Sequence, residues 1–110
     1  MIFFCCYNLL SEIIDESLTI THNKTKHVAQ VEKDINEDVE VVCSKTEIVQ
    51  VLINLIVNAA HALEEVETEH KRIIARGYTD GQYAVIEVED NGPGIPKHIM
   101  NSISLSWIIS

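Results

Sequence analysis

From residue 8 onward apolar residues recur at Leu9, Leu10, Ile13, Ile14 and Leu18, the three-and-four spacing of one helix face. The pattern fades over residues 21–26, which are expected to form a polar loop. Residues 27–33 and 39–42 read as short strands, with Asn36, Glu37 and Asp38 turning between them. Ser44-x-x-Glu47 has the form of a capping box directly before a long apolar run, which predicts a helix over 45–64. A charged stretch follows at 65–70. Two strands are predicted next, over 72–78 and 83–89. Thr79-Asp80-Gly81-Gln82 joins them, because Asp-Gly is a favoured hairpin turn and glycine tolerates positive φ. In the second strand Ala84, Ile86 and Val88 alternate with Tyr83, Val85, Glu87 and Glu89, so one face is apolar. The order helix, two strands, helix, hairpin favours an α+β two-layer sandwich over a parallel α/β sheet. No repeat or low-complexity tract interrupts the 110 residues, a length that fits one domain.

Composition narrows the function classes. The net charge is −9, which argues against broad nucleic-acid binding, since that needs a basic footprint. It does not exclude a single nucleotide, because a bound Mg²⁺ can offset phosphate charge locally. The three cysteines, Cys5, Cys6 and Cys43, make an odd count without a Cys-x-x-Cys pair. Reduced thiols in a cytoplasmic protein are therefore expected, rather than a disulfide framework or a zinc site. The apolar run at 2–7 is too short to span a bilayer and has no basic residue before it.

The helix predicted over 45–64 is apolar almost all round and is expected to be buried. Its polar exceptions fall in order: Glu47, Gln50, Asn54, Asn58, His61 and Glu65. At roughly 100° per residue they share a stripe roughly 80° wide. Such a stripe faces water, a polar partner or a ligand, because an unpaired buried amide costs about 1–3 kcal/mol. An ordinary wet face would explain most of it. Two asparagines on adjacent turns are less ordinary, since asparagine is a poor helix former. At the end of the last predicted strand stands Asp90-Asn91-Gly92-Pro93-Gly94-Ile95-Pro96. Paired glycines let a backbone turn sharply and approach a ligand closely. Asp90 at the strand end can accept a hydrogen bond from a ligand amine. Alone, this segment reads equally as a surface turn.

Together, an Asn-x-x-x-Asn-Ala helix, a hairpin and Asp-x-Gly-x-Gly resemble the ATP-binding Bergerat fold. That fold is shared by sensor histidine kinases, type II topoisomerases, the chaperone Hsp90 and mismatch-repair ATPases. Residues 47–63 resemble the N box and 90–96 the G1 box. The resemblance covers roughly residues 8–100 and implies ATP and Mg²⁺ as cofactors. By that resemblance Asn58 ligates the Mg²⁺, Asp90 accepts from the adenine amine, and Gly92 and Gly94 shape the base pocket. Asn54 lies on the phosphate side, His61 or Glu47 reaches phosphate-bound water, and Ala62 and Ile95 join the cofactor-binding set.

Hydrolytic members of the family carry a glutamate one turn before the metal-binding asparagine. Here that position is Asn54, whose amide takes no proton at neutral pH. This favours phosphoryl transfer to a protein side chain over hydrolysis, and so a histidine kinase over a topoisomerase or chaperone. Anti-sigma-factor kinases share the fold but phosphorylate serine; they rank lower because residues 58–63, Asn-Ala-Ala-His-Ala-Leu, resemble sensor kinases. The resemblance also implies a second, Gly-x-Gly-Leu-Gly-like box after the first, but no glycine follows Gly94. Residues 102–110 depart from the family pattern as an atypical tail. His22, His27, His61, His70 and His98 all lack the following acidic residue of a phospho-acceptor motif. The chain is therefore expected to be a partial ATP-binding domain, incomplete at its C-terminus and inactive by itself as an autokinase. A dimerisation and phospho-acceptor domain and a response regulator are its implied partners. Missing strands would leave an open sheet edge, so a homo-oligomer with the tail or an edge strand at the interface is also expected, the competing outcome being a tail that folds back within its own chain. Two rivals remain: an interaction module without nucleotide binding, and a small ATPase.

Overall fold

A computed structural model of the chain describes residues 6–65, 67 and 70–91, together with the backbone of 102–108. Eight elements follow in order: β1 (Cys6–Leu9), α1 (Leu10–Thr25), β2 (Gln30–Ile35), β3 (Glu40–Cys43), α2 (Lys45–Glu64), β4 (Arg72–Asp80), β5 (Tyr83–Asp90) and β6 (Ser102–Ile108). β1 and β3 form a small antiparallel sheet. The main sheet runs β2-β4-β5-β6, parallel between β2 and β4 and antiparallel elsewhere. Both helices pack on this sheet and on each other. The arrangement is the expected α+β two-layer sandwich.

The alternation read in β5 places Ala84, Ile86 and Val88 in the core, paired with Thr79, Gly77 and Ala75 of β4. Leu10, Ile13 and Ile14 of α1 and Leu52, Ile56 and Leu63 of α2 cover them. Gly77 permits the close approach of α1, since a Cβ there would lie 3.2 Å from Ile14 Cδ1. The opposite face of the sheet is charged. There Arg76 donates to Glu89 at 2.7 Å and to Glu87 at 3.3 Å, and the Tyr78 hydroxyl donates to Glu87 at 3.2 Å. The hydrogen bond to Glu89 is the first cause holding the Arg76 guanidinium above its ordinary pKa. Burial, then Glu87, pushes the Tyr78 phenol up.

Four local expectations are corrected. The polar loop expected at 21–26 is helix as far as Thr25, because Ser17, Thr21 and Thr25 continue the buried face of α1. Their hydroxyls donate to the carbonyls of Ile13, Ser17 and His22, which removes the cost of burying them. The capping box at Ser44 is not made; α2 starts on the backbone bond from Ile48 N–H to Ser44 O. The hairpin turn lies one residue later than Asp-Gly. Asp80 pairs with Tyr83, and Gly81, at φ +62°, takes the first turn position. Finally, α2 is buried on one side only, and even Val51 is 38% exposed.

Two long-range features also differ from a chain of simple hairpins. The segment between β2 and β3 delivers a cap to α1: Asp38 accepts from Ser11 N–H at 3.0 Å and from its hydroxyl at 2.7 Å. A carboxylate there also suits the positive end of the helix dipole. At the far edge β6 runs antiparallel to β5 over its whole length, from Tyr83↔Ile108 to Glu89↔Ser102. Of the two outcomes expected for the tail, the structure shows the one in which it folds back and pairs within the chain, along the edge of β5. Association through that edge would require β6 to detach.

Candidate functional site

α2 is long and apolar enough by composition to cross a membrane, but Val49, Leu52, Ile56, Ala59, Ala60 and Leu63 bury its inner face against the sheet and α1. Its amphipathic packing is that of a core helix. The opposite side carries the whole polar stripe: Glu47, Gln50, Asn54, Asn58, His61 and Glu65 are all exposed, as is Ala62. Gln50 Nε2 approaches Asn54 Oδ1 at 3.5 Å, a long contact that aligns neighbouring turns. His61 stands in the last turn, where a basic residue also complements the helix dipole.

Asp90 is the last residue of β5, partly buried and opposite Ile73. α2 packs against both β4 and β5, so the amide stripe and Asp90 belong to adjoining elements. Gly92, Gly94 and Ile95 lie outside the described residues; of the rest of the expected set, Asn54, Asn58, His61 and Ala62 are exposed on α2 and Asp90 ends β5.

The sequence reading missed Asn91. Its Oδ1 accepts from Arg72 N–H at 2.7 Å, its Nδ2 donates to His70 O at 2.8 Å, and its backbone N–H donates to Arg72 O at 3.1 Å. His70 has a positive φ of 57°, uncommon for a residue with a side chain. In the sequence Asn91 looks like a turn residue; its partners are 19 and 21 positions away. No local pattern reveals them.

The donor chemistry admits a limited set of roles. Exposed amides on α2 offer carbonyl oxygens, the hard ligands that Mg²⁺ takes, and N–H donors for phosphate oxygens. A carboxylate at a strand end suits a purine amine. One turn before Asn58 stands Asn54, an amide that takes no proton at neutral pH.

A family model for histidine kinase-, DNA gyrase B- and HSP90-like ATPases matches residues 43–105. The chain is 46% identical over 57 residues to the sensor protein CitS of Halalkalibacterium halodurans, covering 51% of this chain and 10% of that protein. Among solved structures, a nucleotide-free catalytic domain of histidine kinase ThkA superposes with a TM-score of 0.69 at 25% identity, covering 84% of this chain and 62% of that one. ThkA in complex with response regulator protein TrrA gives a TM-score of 0.67 at 28% identity, over 84% of this chain and 28% of that one. The Acinetobacter baumannii histidine kinase AdeS shares the fold, with a TM-score of 0.69 at 21% identity over 88% of this chain and 47% of that one. The chain thus spans a tenth of the curated relative and under two thirds of these structures. It belongs to the histidine kinase-, DNA gyrase B- and HSP90-like ATPase family, as a domain of the sensor histidine kinase kind.

Proposed function

We propose that this domain binds ATP with Mg²⁺ in a cytoplasmic sensor histidine kinase, for phosphoryl transfer to a histidine supplied by another domain. The observation that carries this reading is the pair Asn54 and Asn58, exposed on consecutive turns of a helix whose other face is core. Asn58 would hold the metal through its carbonyl oxygen, and the metal would neutralise phosphate charge. Asn54 would donate to phosphate, with His61 and Ala62 lining the same side. Asp90 would accept from the adenine amine, beside Gly92, Gly94 and Ile95. With an amide at Asn54, α2 supplies no general base at that position, which supports transfer rather than hydrolysis. A dimerisation and phospho-acceptor domain and a response regulator would complete the reaction. The complex of ThkA with a response regulator supports the second of these.

Calorimetric titration with ATP, with and without Mg²⁺, tests the reading. Binding that needs Mg²⁺ in the native chain and loses that need in Asn58→Ala is expected. A charge-assisted hydrogen bond is worth about 1.5–3 kcal/mol, so Asp90→Ala should weaken binding roughly tenfold to a hundredfold. Equal affinity for ATP and GTP would remove the adenine assignment. No heat with any nucleotide would favour an interaction module instead.

A further inference from the structure

The two-residue turn of the β4–β5 hairpin fixes the hydrogen-bonding phase of its ladder. Asp80 and Tyr83 flank that turn, and hydrogen-bonded and non-bonded pairs alternate from there. Counting along the register, Ile73↔Asp90 falls on a non-bonded pair and the next position, Arg72 with Asn91, on a bonded one. In a regular ladder each residue of such a pair exchanges N–H and C=O with the other. Asn91 does half of this: its N–H donates to Arg72 O at 3.1 Å. The reverse bond is different. Arg72 N–H donates to the Asn91 side-chain Oδ1 at 2.7 Å, in the place the ladder gives to the main-chain carbonyl. The remaining half of the amide, Nδ2, donates to His70 O at 2.8 Å and holds the residue whose φ is 57°.

We propose that Asn91 is a positioning residue for Asp90: its side chain completes the ladder in place of its own main-chain carbonyl, so β5 can end at Asp90 while Asp90 stays in strand register. The same amide ties the connection between α2 and β4 to the strand end. Loss of this closure frays the last pairs of the ladder, and Asp90 is in the last of them. The inference rests on the nucleotide-binding reading and predicts that Asn91 acts on base recognition through Asp90.

The test uses the full chain and two probes, ATP and purine riboside triphosphate, which lacks only the exocyclic amine. Calorimetry is run on the native chain, Asp90→Ala, Asn91→Ala, Asn91→Asp and the double alanine variant, with thermal unfolding of each. The native chain should prefer ATP by roughly tenfold to a hundredfold, the worth of one such hydrogen bond. Asn91→Ala should lose most of that preference, and the double variant should lose no more than Asp90→Ala alone. Asn91→Asp keeps the acceptor for Arg72 N–H and loses the donor to His70. It should retain an intermediate preference, and it carries the test if Asn91→Ala does not fold. A variant that melts earlier yet keeps the native preference for ATP would overturn the inference, as would losses that multiply in the double variant. A native chain that binds neither nucleotide removes the nucleotide-binding reading together with this one, whereas a preserved preference in both Asn91 variants removes this one alone.

Discussion

α1 and α2 lie against each other on one sheet, and each carries polar residues four positions apart, yet the two stripes end in opposite places. Ser17, Thr21 and Thr25 of α1 are 0%, 2% and 1% exposed. Gln50, Asn54 and Asn58 of α2 face outward. The difference lies in the functional group. A hydroxyl is short, and its one donor reaches a carbonyl on the preceding turn: Ser17 reaches Ile13 and Thr21 reaches Ser17, each at 2.8 Å. It can therefore be buried without a partner from elsewhere. A carboxamide has two donors and an acceptor and cannot satisfy all of them on its own helix. It goes to solvent or to a ligand. A polar stripe of hydroxyls extends a core, whereas a polar stripe of amides marks a surface that binds something or only water.

If that contrast is right, substitutions on the two helices differ in size and in sign. The largest effect belongs to the apolar face of α2. Leu52 is 1% exposed, and Leu52→Ala should cost about 2–5 kcal/mol in urea unfolding. A loss below about 1 kcal/mol would mean that the face is less well packed than the structure has it. Next is the hydroxyl stripe. Thr21→Asn puts an amide where only a hydroxyl is satisfied and should cost about 1–3 kcal/mol. An unchanged midpoint would show that the buried face of α1 has room for water, and the contrast with α2 would fail. The smallest effect has the opposite sign. Asn58 is exposed, and alanine is the better helix former, so Asn58→Ala should raise stability by about 0.5 kcal/mol. A measured loss instead would assign Asn58 a structural role and weaken the case for a ligand.

The third of these outcomes bears on how the site was legible. Asn54 and Asn58 stand out in the sequence because they are poor choices for the helix they occupy, and the fold keeps them outside the core. That Asp90 ends a strand was legible too, from the apolar alternation before it and the two glycines after it. Asn91 was not, because its role depends on His70 and Arg72, which only the pairing of β4 with β5 brings near.

The sequence by itself determined α2, whose bounds of 45–64 agree with the structure, and the β4–β5 hairpin with its apolar face. It also determined the α+β class. These follow from periodicity and turn chemistry, which act over a few residues. Only the tertiary structure decided where α1 ends, since Thr21 and Thr25 among His, Asn and Lys read as loop until something covers them. It decided that Asp38 caps a helix 27 residues away, that β2 lies parallel to β4, and that β6 closes the edge of β5. In each case a polar or backbone group takes whichever partner the folded chain presents, and that choice is not written in its neighbours.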